Sequence, residues 1–375
     1  MRQRLFWLFA WLTMYSFAGY PVLLWVASRF RHRDVARAPI TPTITVIVPA
    51  HNEETIIARK LESVLSQDYP VGLLQILVAS DGSTDRTLQI AGGYADKGIR
   101  VLDYPRSGKA ATLNLAAAEA TGDIIIFTDA NAILAPNVLT AIASNFADPT
   151  VGGVSADEQR EPGTSTSAAS KGERLYWEYD KWVKRAESRI GSMVSASGSL
   201  YAIRRELYRP IVDPAATDDF AISTQVVRAG YRLIFEPNAV TWEPSIARDS
   251  REFKRRVRIV TRGLRSVYGI RDLLLPWNSG IYALQVWSHK VARRLVGFQA
   301  VAILALSLSL VRRPFYRLVT LGQLGFYALA TAGWLGKDKR WSRRPWFYIP
   351  YYFCLSNLAA SIGIVQFLRH RTVTI

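Results

Sequence analysis

The stretch Ile124-Ile125-Ile126-Phe127-Thr128-Asp129-Ala130-Asn131-Ala132 decides the fold. Four bulky apolar residues run without alternation into an aspartate, which predicts a strand buried on both faces. A carboxylate at the end of such a strand is costly to desolvate unless something positive meets it. Working outward, Thr43–Val48 predicts a strand ending at Pro49, and Ile56–Leu65 carries helical spacing. Leu74–Ala79 predicts a second strand, ending at Ser80-Asp81-Gly82, and Thr84–Ala95 a helix with a Ser/Thr/Asp start. Arg100–Leu102 reads as a short strand and Ser107–Ala120 as an Ala-rich helix, while Pro136 stands where the first turn of another helix would begin. The alternation argues for an α/β fold, a parallel sheet with helices on both faces. In such sheets ligands bind beyond the carboxyl ends of the strands, where Asn52, Glu53, Asp81 and Asp129 all lie.

The flanks differ. Leu5–Val26 is nearly uncharged, long enough to cross a bilayer, and followed by Arg29, Arg31, Arg33 and Arg37. A cleaved signal peptide is the competing reading, but the apolar run is long for one. Three further candidate spans close the chain, at about Leu295–Val311, Phe315–Leu335 and Trp346–Leu368. The loop between the last two carries Lys337, Lys339, Arg340, Arg343 and Arg344, so the positive-inside rule places it and the central region in the cytoplasm. Arg312, Arg313, Arg369 and Arg371 strain that layout, because they fall outside. The reading divides the chain into an anchor at 1–28, a catalytic domain at 40–246, interfacial amphipathic helices at 247–292 and a membrane region at 293–375.

The 375 residues hold 47 Lys+Arg against 30 Asp+Glu, a net charge of +17. Nucleic acid, an anionic membrane surface or an anionic substrate would suit that balance; no nucleic-acid motif appears, so no nucleic-acid partner is expected. One cysteine, Cys354, excludes an intrachain disulfide. No G-x-G-x-x-G follows the first strand, and Ser107-Gly108-Lys109-Ala110 lacks the upstream Gly and following Ser/Thr of a P-loop.

Six segments in order, "VIVPAHNEE" at 46–54, "VASDGSTDRT" at 78–87, "RSGKAATLN" at 106–114, "FTDANA" at 127–132, "SGSLYAIRREL" at 197–207 and "TDDF" at 217–220, resemble the family 2 glycosyltransferases of the GT-A fold. With the spans, the layout resembles the polysaccharide synthase branch, which makes hyaluronan, chitin, cellulose or poly-N-acetylglucosamine. The resemblance implies a doubly wound mixed sheet on the cytoplasmic side of a bacterial inner membrane. It further implies a nucleotide-sugar donor, expected to be a UDP-sugar, a growing glycan or a lipid-linked acceptor, and contact with membrane lipids. A divalent cation, Mg2+ or Mn2+, would offset the charge of the leaving diphosphate.

Asp129 is the expected metal ligand; the family's Asp-x-Asp reads here as Asp129-Ala130-Asn131, so Asn131 offers an amide oxygen without charge. Asp81 resembles the nucleotide-contacting aspartate, Pro49 and Glu53 the uridine-binding segment, and Lys109, near Arg106, would meet donor phosphate. Asp218 and Asp219 are adjacent acids, which disfavours double ionisation and favours a base; by resemblance Asp219 is that base. One base and one displacement imply inversion. Each has a plainer reading: Asp129 and the Asp218-Asp219 pair as helix caps, Asp81 as an Asx-turn, Lys109 as a solvated helix start.

Further on, Phe253, Val257, Val260, Leu264 and Val267 form an apolar stripe, and Arg255, Arg258, Arg262 and Arg265 a basic one. This predicts an amphipathic helix at the membrane surface, with Arg255 and Arg258 reaching either lipid or the donor diphosphate. Synthases carry Gln-x-x-Arg-Trp here; the stretch Arg255-Arg256-Val257-Arg258-Ile259 keeps the second Arg and lacks the Gln and the Trp, which argues against processive synthesis. A single-sugar transferase is the near alternative. A non-catalytic scaffold is disfavoured by the retained acids, and a transporter by spans that lack acids.

Overall fold

The apolar run at 124–128 forms a strand fully enclosed by two cores. A computed structural model describes residues 1–161, 168–243, 249–336 and 339–369. Lys337, Arg371 and residues 244–248, where one expected domain gives way to the next, lie outside the described residues. Two units compose the chain: Arg31–Thr164 with Lys184–Ser245, and Met1–Phe30 with Ser165–Val183 and Ile246–Ile375.

The first unit is built on an eight-stranded sheet in the order β3-β2-β1-β4-β7-β6-β8-β5. Its strands are β1 Ile44–Ala50, β2 Leu74–Asp81, β3 Ile99–Tyr104, β4 Ile124–Thr128, β5 Ile133–Leu134, β6 Val151–Arg160, β7 Leu200–Arg204 and β8 Arg232–Glu243. The helices that matter to the site are α1 Ile57–Leu65, α2 Thr87–Gly92, α3 Lys109–Ala118, α4 Val138–Asn145 and α5 Asp218–Arg228.

Alternation assigns the two faces. Ile124 and Ile126 join Ile44, Val46 and Val78 in one core, and Ile125 and Phe127 join Ile47 and Leu77 in the other. Each such burial contributes roughly 1.5–3 kcal/mol. β1 pairs in parallel with β2 and β4, and β2 with β3, so their carboxyl ends share one edge. Gly122 permits the β1–β4 approach, since a Cβ there would lie 2.6 Å from the Thr45 amide nitrogen.

The parallel pairing read from the alternation covers that half, and the mixed sheet implied by the resemblance is what the whole forms. β7 runs antiparallel to β4 and β6, β6 runs parallel to β8, and β5 antiparallel to β8, so the sheet is mixed. β4 and β5 stand four places apart in the sheet, about 19 Å if it were flat. The steps from Thr128 to Ile133 cover at most about 18 Å when fully extended, and the turn is bonded back on itself, so the sheet curls. The helix expected over 84–95 is shorter, Thr87–Gly92, because Asp85 accepts the Thr87 amide at its start and Gly92-Gly93 ends it.

In the second unit, four helical runs are long and apolar enough to cross a membrane: Arg2–Phe30, Ile281–Ser309, Pro314–Leu335 and Pro345–Leu368. Only 17% of the first three and 33% of the last is buried, with Trp7, Trp25, Val301 and Leu318 more than half exposed. A helix of a water-soluble core would not leave such side chains outward. The second run begins at Ile281, earlier than its hydropathy suggested. The expected amphipathic helix is Asp249–Gly269, and its apolar stripe is taken up by protein: Val260 packs so closely on Gly363 that a Cβ there would lie 2.8 Å away. Arg256 anchors the same pair of helices, lying over the Tyr352 ring and donating to Tyr352 Oη at 2.7 Å.

Candidate active site

At the end of β2, Asp81 is held on every side. Its Oδ1 accepts from the Ser107 and Gly108 amides at 2.7 and 2.9 Å, and its Oδ2 from Arg106 Nη1 at 2.6 Å. Burial pushes the carboxyl up, but those two amides and the guanidinium outweigh it and hold it below its ordinary value. Gly82 has φ +62°, and a Cβ on it would stand 2.7 Å from the Arg106 amide nitrogen, so the turn after β2 can meet the 106–108 loop only through glycine. The turn after β1 is stitched to the same corner: His51 Nδ1 lies 2.8 Å from the Asp81 carbonyl, and the Glu53 amide donates to Thr87 Oγ1 at 2.8 Å. Pro49 pairs with Ala79 inside β1. Burial, then Asp129 and Asp85, raise the Glu53 carboxyl.

Asp129, just past β4, is met by Lys109, the first residue of α3. The ammonium donates to Asp129 Oδ1 at 2.6 Å and pairs with Asp218 Oδ2 at 2.8 Å. Burial alone would lower that ammonium, but Asp129 and Asp218 hold it well above its ordinary value, so it stays charged. Lys109 therefore faces two carboxylates here.

Asp218 and Asp219 open α5, placing two acids in its first turn. Asp219 Oδ2 and Asp129 Oδ2 turn toward one space: a Cβ on Gly198 would lie 3.7 Å from the first and 3.9 Å from the second. Glycine leaves that space open. Oxygen donors on two elements suit a hard divalent cation, and no group of three or more His, Cys, Asp or Glu gathers for a metal among the described residues. A site offering one or two carboxylates and leaving the other places to ligand oxygens is the way Mg2+ is held beside phosphates. Asn131 sits in the same turn as Asp129, partly exposed.

Within this unit the fold thus gathers Glu53, Asp81, Lys109, Asp129, Asp218 and Asp219. Arg255 and Arg258 belong to the helix Asp249–Gly269 of the other unit, where burial, then Arg262 and Arg255, push the Arg258 guanidinium down.

Two residues escaped sequence reasoning. Lys60 on α1 is fully buried, donating to Thr128 Oγ1 at 2.6 Å and to the Ala132 carbonyl. Burial pushes its ammonium down to about 7, against the opposing pull of Asp129 and Glu243. Its position three residues after Ile57 and four before Val64, both buried, was a signal that it lies on the core stripe. Tyr201, 1% exposed, stacks on Phe127 at 5.2 Å, and its buried hydroxyl has no hydrogen-bond partner among the described residues. Burial, then Asp218, Asp219 and Asp129, push that phenol well up.

Residues 45–212 match the family described as Glycosyl transferase family 2. This chain carries a family 2 glycosyltransferase domain. Over 212 residues it is 26% identical to the probable glycosyltransferase YdaM of Bacillus subtilis, covering 54% of this chain and 50% of that protein. It is also 26% identical over 223 residues to an N-acetylglucosaminyltransferase of Rhizobium leguminosarum bv. viciae, covering 56% and 52%. The chain thus spans about half the length of these curated relatives. Among solved structures, the mannosyltransferase PcManGT of Pyrobaculum calidifontis, in complex with GDP-Man and Mn2+, is similar with a TM-score of 0.73 at 25% identity, covering 97% of this chain and 99% of that one. The domain is a GT-A fold, joined in this chain to one N-terminal and three C-terminal apolar helices.

Proposed function

We propose that this glycosyltransferase moves a sugar, with inversion, from a nucleoside-diphosphate sugar to a glycan acceptor at a membrane. The convergence of Asp129 and Asp219 on the space above Gly198 carries this reading. Asp219 takes the proton of the acceptor hydroxyl as its oxygen bonds to the anomeric carbon, and the bond from that carbon to the diphosphate oxygen breaks. Lys109 stays charged beside both carboxylate elements and offsets negative charge there. A divalent cation on Asp129, with Asn131 beside it, would offset the charge gathering on the departing diphosphate. Asp81 fixes the 106–108 loop, and Pro49 and Glu53 line the approach for the nucleoside. The four apolar helices and the basic residues after the first support a catalytic unit on the cytoplasmic side.

The family's synthase branch suggests extension of a cell-surface polysaccharide. A second reading, addition of one sugar to a lipid-linked acceptor, is favoured by Ile259, which is 46% exposed and presents no indole where synthases carry one.

The test is a donor screen. Purified full-length chain, Mn2+ and a membrane lipid extract are given GDP-mannose or UDP-N-acetylglucosamine, and products are sized at early times. Nucleoside diphosphate release with a sugar-bearing lipid product supports the reading, and its length separates the two outcomes. No release from any nucleotide sugar would contradict it.

A further inference from the structure

The turn from Thr128 to Ala132 carries Asp129 and Asn131, and it is gripped from the core side by one residue. Lys60 Nζ donates to Thr128 Oγ1 at 2.6 Å and to the Ala132 carbonyl, so its two acceptors bracket the turn. Thr128 Oγ1 passes the contact on, donating to the Ser199 carbonyl at 2.8 Å, and the Asp129 amide donates to the same oxygen at 3.2 Å. Ser199 adjoins Gly198, above which Asp129 and Asp219 converge. A single buried amine therefore links the strand end, the turn and the floor of the site.

Burying that amine is costly, because both hydrogen-bond acceptors are neutral; among the described residues it forms no ion pair, and Asp129 and Glu243 act on it through space. A methionine would fill similar space without that cost. What the lysine adds is the pair of hydrogen bonds to the turn.

We infer that Lys60 is a positioning residue for the donor and cation site, holding the Thr128–Ala132 turn so that Asp129 keeps its place above Gly198. This rests on the role proposed for Asp129. The opposing effect is repulsion between the ammonium and a bound dication. At pH 8 the amine is largely neutral, since burial pushes it down to about 7, so repulsion is small and the hydrogen bonds dominate. Losing a group that orients a metal ligand typically weakens binding by about 10–100-fold.

The experiment titrates full-length protein with Mn2+ alone at pH 8, following free Mn2+ by electron paramagnetic resonance, with thermal melts alongside. Lys60→Met removes both hydrogen bonds; Thr128→Val removes one acceptor and keeps the lysine. Both should weaken Mn2+ binding, Lys60→Met by about 10-fold or more, with melting temperatures near wild type. Lys60→Met binding Mn2+ as tightly as wild type, or more tightly, would overturn the inference. Should Lys60→Met not fold, unchanged Mn2+ affinity in Thr128→Val would overturn it alone. A wild type that binds no Mn2+ would overturn the metal role of Asp129 itself, and this inference with it.

Discussion

The Asp81 carboxylate is 6% exposed and accepts from two backbone amides and Arg106, whereas that of Asp129, two strands away, is 32% exposed and paired with the Lys109 ammonium. Backbone amides cannot leave Asp81 unless the 106–108 loop comes apart. A lysine on a four-carbon stem can move away while the fold stays intact. The first corner is therefore architecture, and the second holds a charge that can be exchanged. The two are coupled through sequence: Gly108, bound to Asp81, immediately precedes Lys109, so the fixed corner aims the movable cation.

The sharpest break between the corners is expected at Asp219, which shares the open space with Asp129. Asp219→Asn should lower turnover by about 10²–10⁴-fold while leaving donor binding and melting temperature close to wild type. Single-turnover kinetics and equilibrium donor binding check this, and a mutant with wild-type turnover removes Asp219 from the role.

The next effect separates the corners by stability. Asp81→Ala leaves two amides and a guanidinium without their acceptor, a loss on the order of 2–4 kcal/mol. That corresponds to a fall of roughly 5–15 °C in melting temperature. Asp129→Ala breaks a partly exposed pair worth about 0–1 kcal/mol, so its melt should barely move. Equal falls in both mutants would erase the distinction.

The remaining effect is a pH slope and concerns Lys60. Its folded value near 7 lies below the roughly 10.4 of an unfolded lysine. Between those values the unfolded chain binds a proton that the folded chain lacks, so stability rises with pH across that window, by at most about 1.4 kcal/mol per unit. Below pH 7 this contribution to the slope vanishes. Melting curves from pH 7 to 10 should rise for wild type and flatten for Lys60→Met; identical slopes would show that Lys60 does not titrate there.

The parallel half of the sheet was legible because its strands are continuous apolar runs bounded by turn residues. Their terminal acids were legible for the same reason. The antiparallel half was not, since the curl that brings β5 to the far edge depends on pairs far apart in sequence, such as Gly153 with Ile203 and Ile133 with Trp242. The ion pairs of Lys109 were not legible, because nothing local places it against Asp129 and Asp218, 20 and 109 positions away. Lys60 was not singled out in the sequence, though it shares the stripe of Ile57 and Val64. The amphipathic helix at 249–269 was read from its periodicity, but its partner, the helix Pro345–Leu368, is a tertiary choice that periodicity does not encode.

The role proposed for Asp129 is that of the exchangeable corner, which receives a divalent cation. The direct measurement is nucleoside diphosphate release by purified full-length chain with its best donor and a lipid acceptor extract. It is read with Mn2+, with excess chelator, and in Asp129→Ala. Release should require Mn2+, stop in chelator, and be lost in Asp129→Ala at an unchanged melting temperature. Full release in excess chelator, or undiminished release from Asp129→Ala, would contradict it.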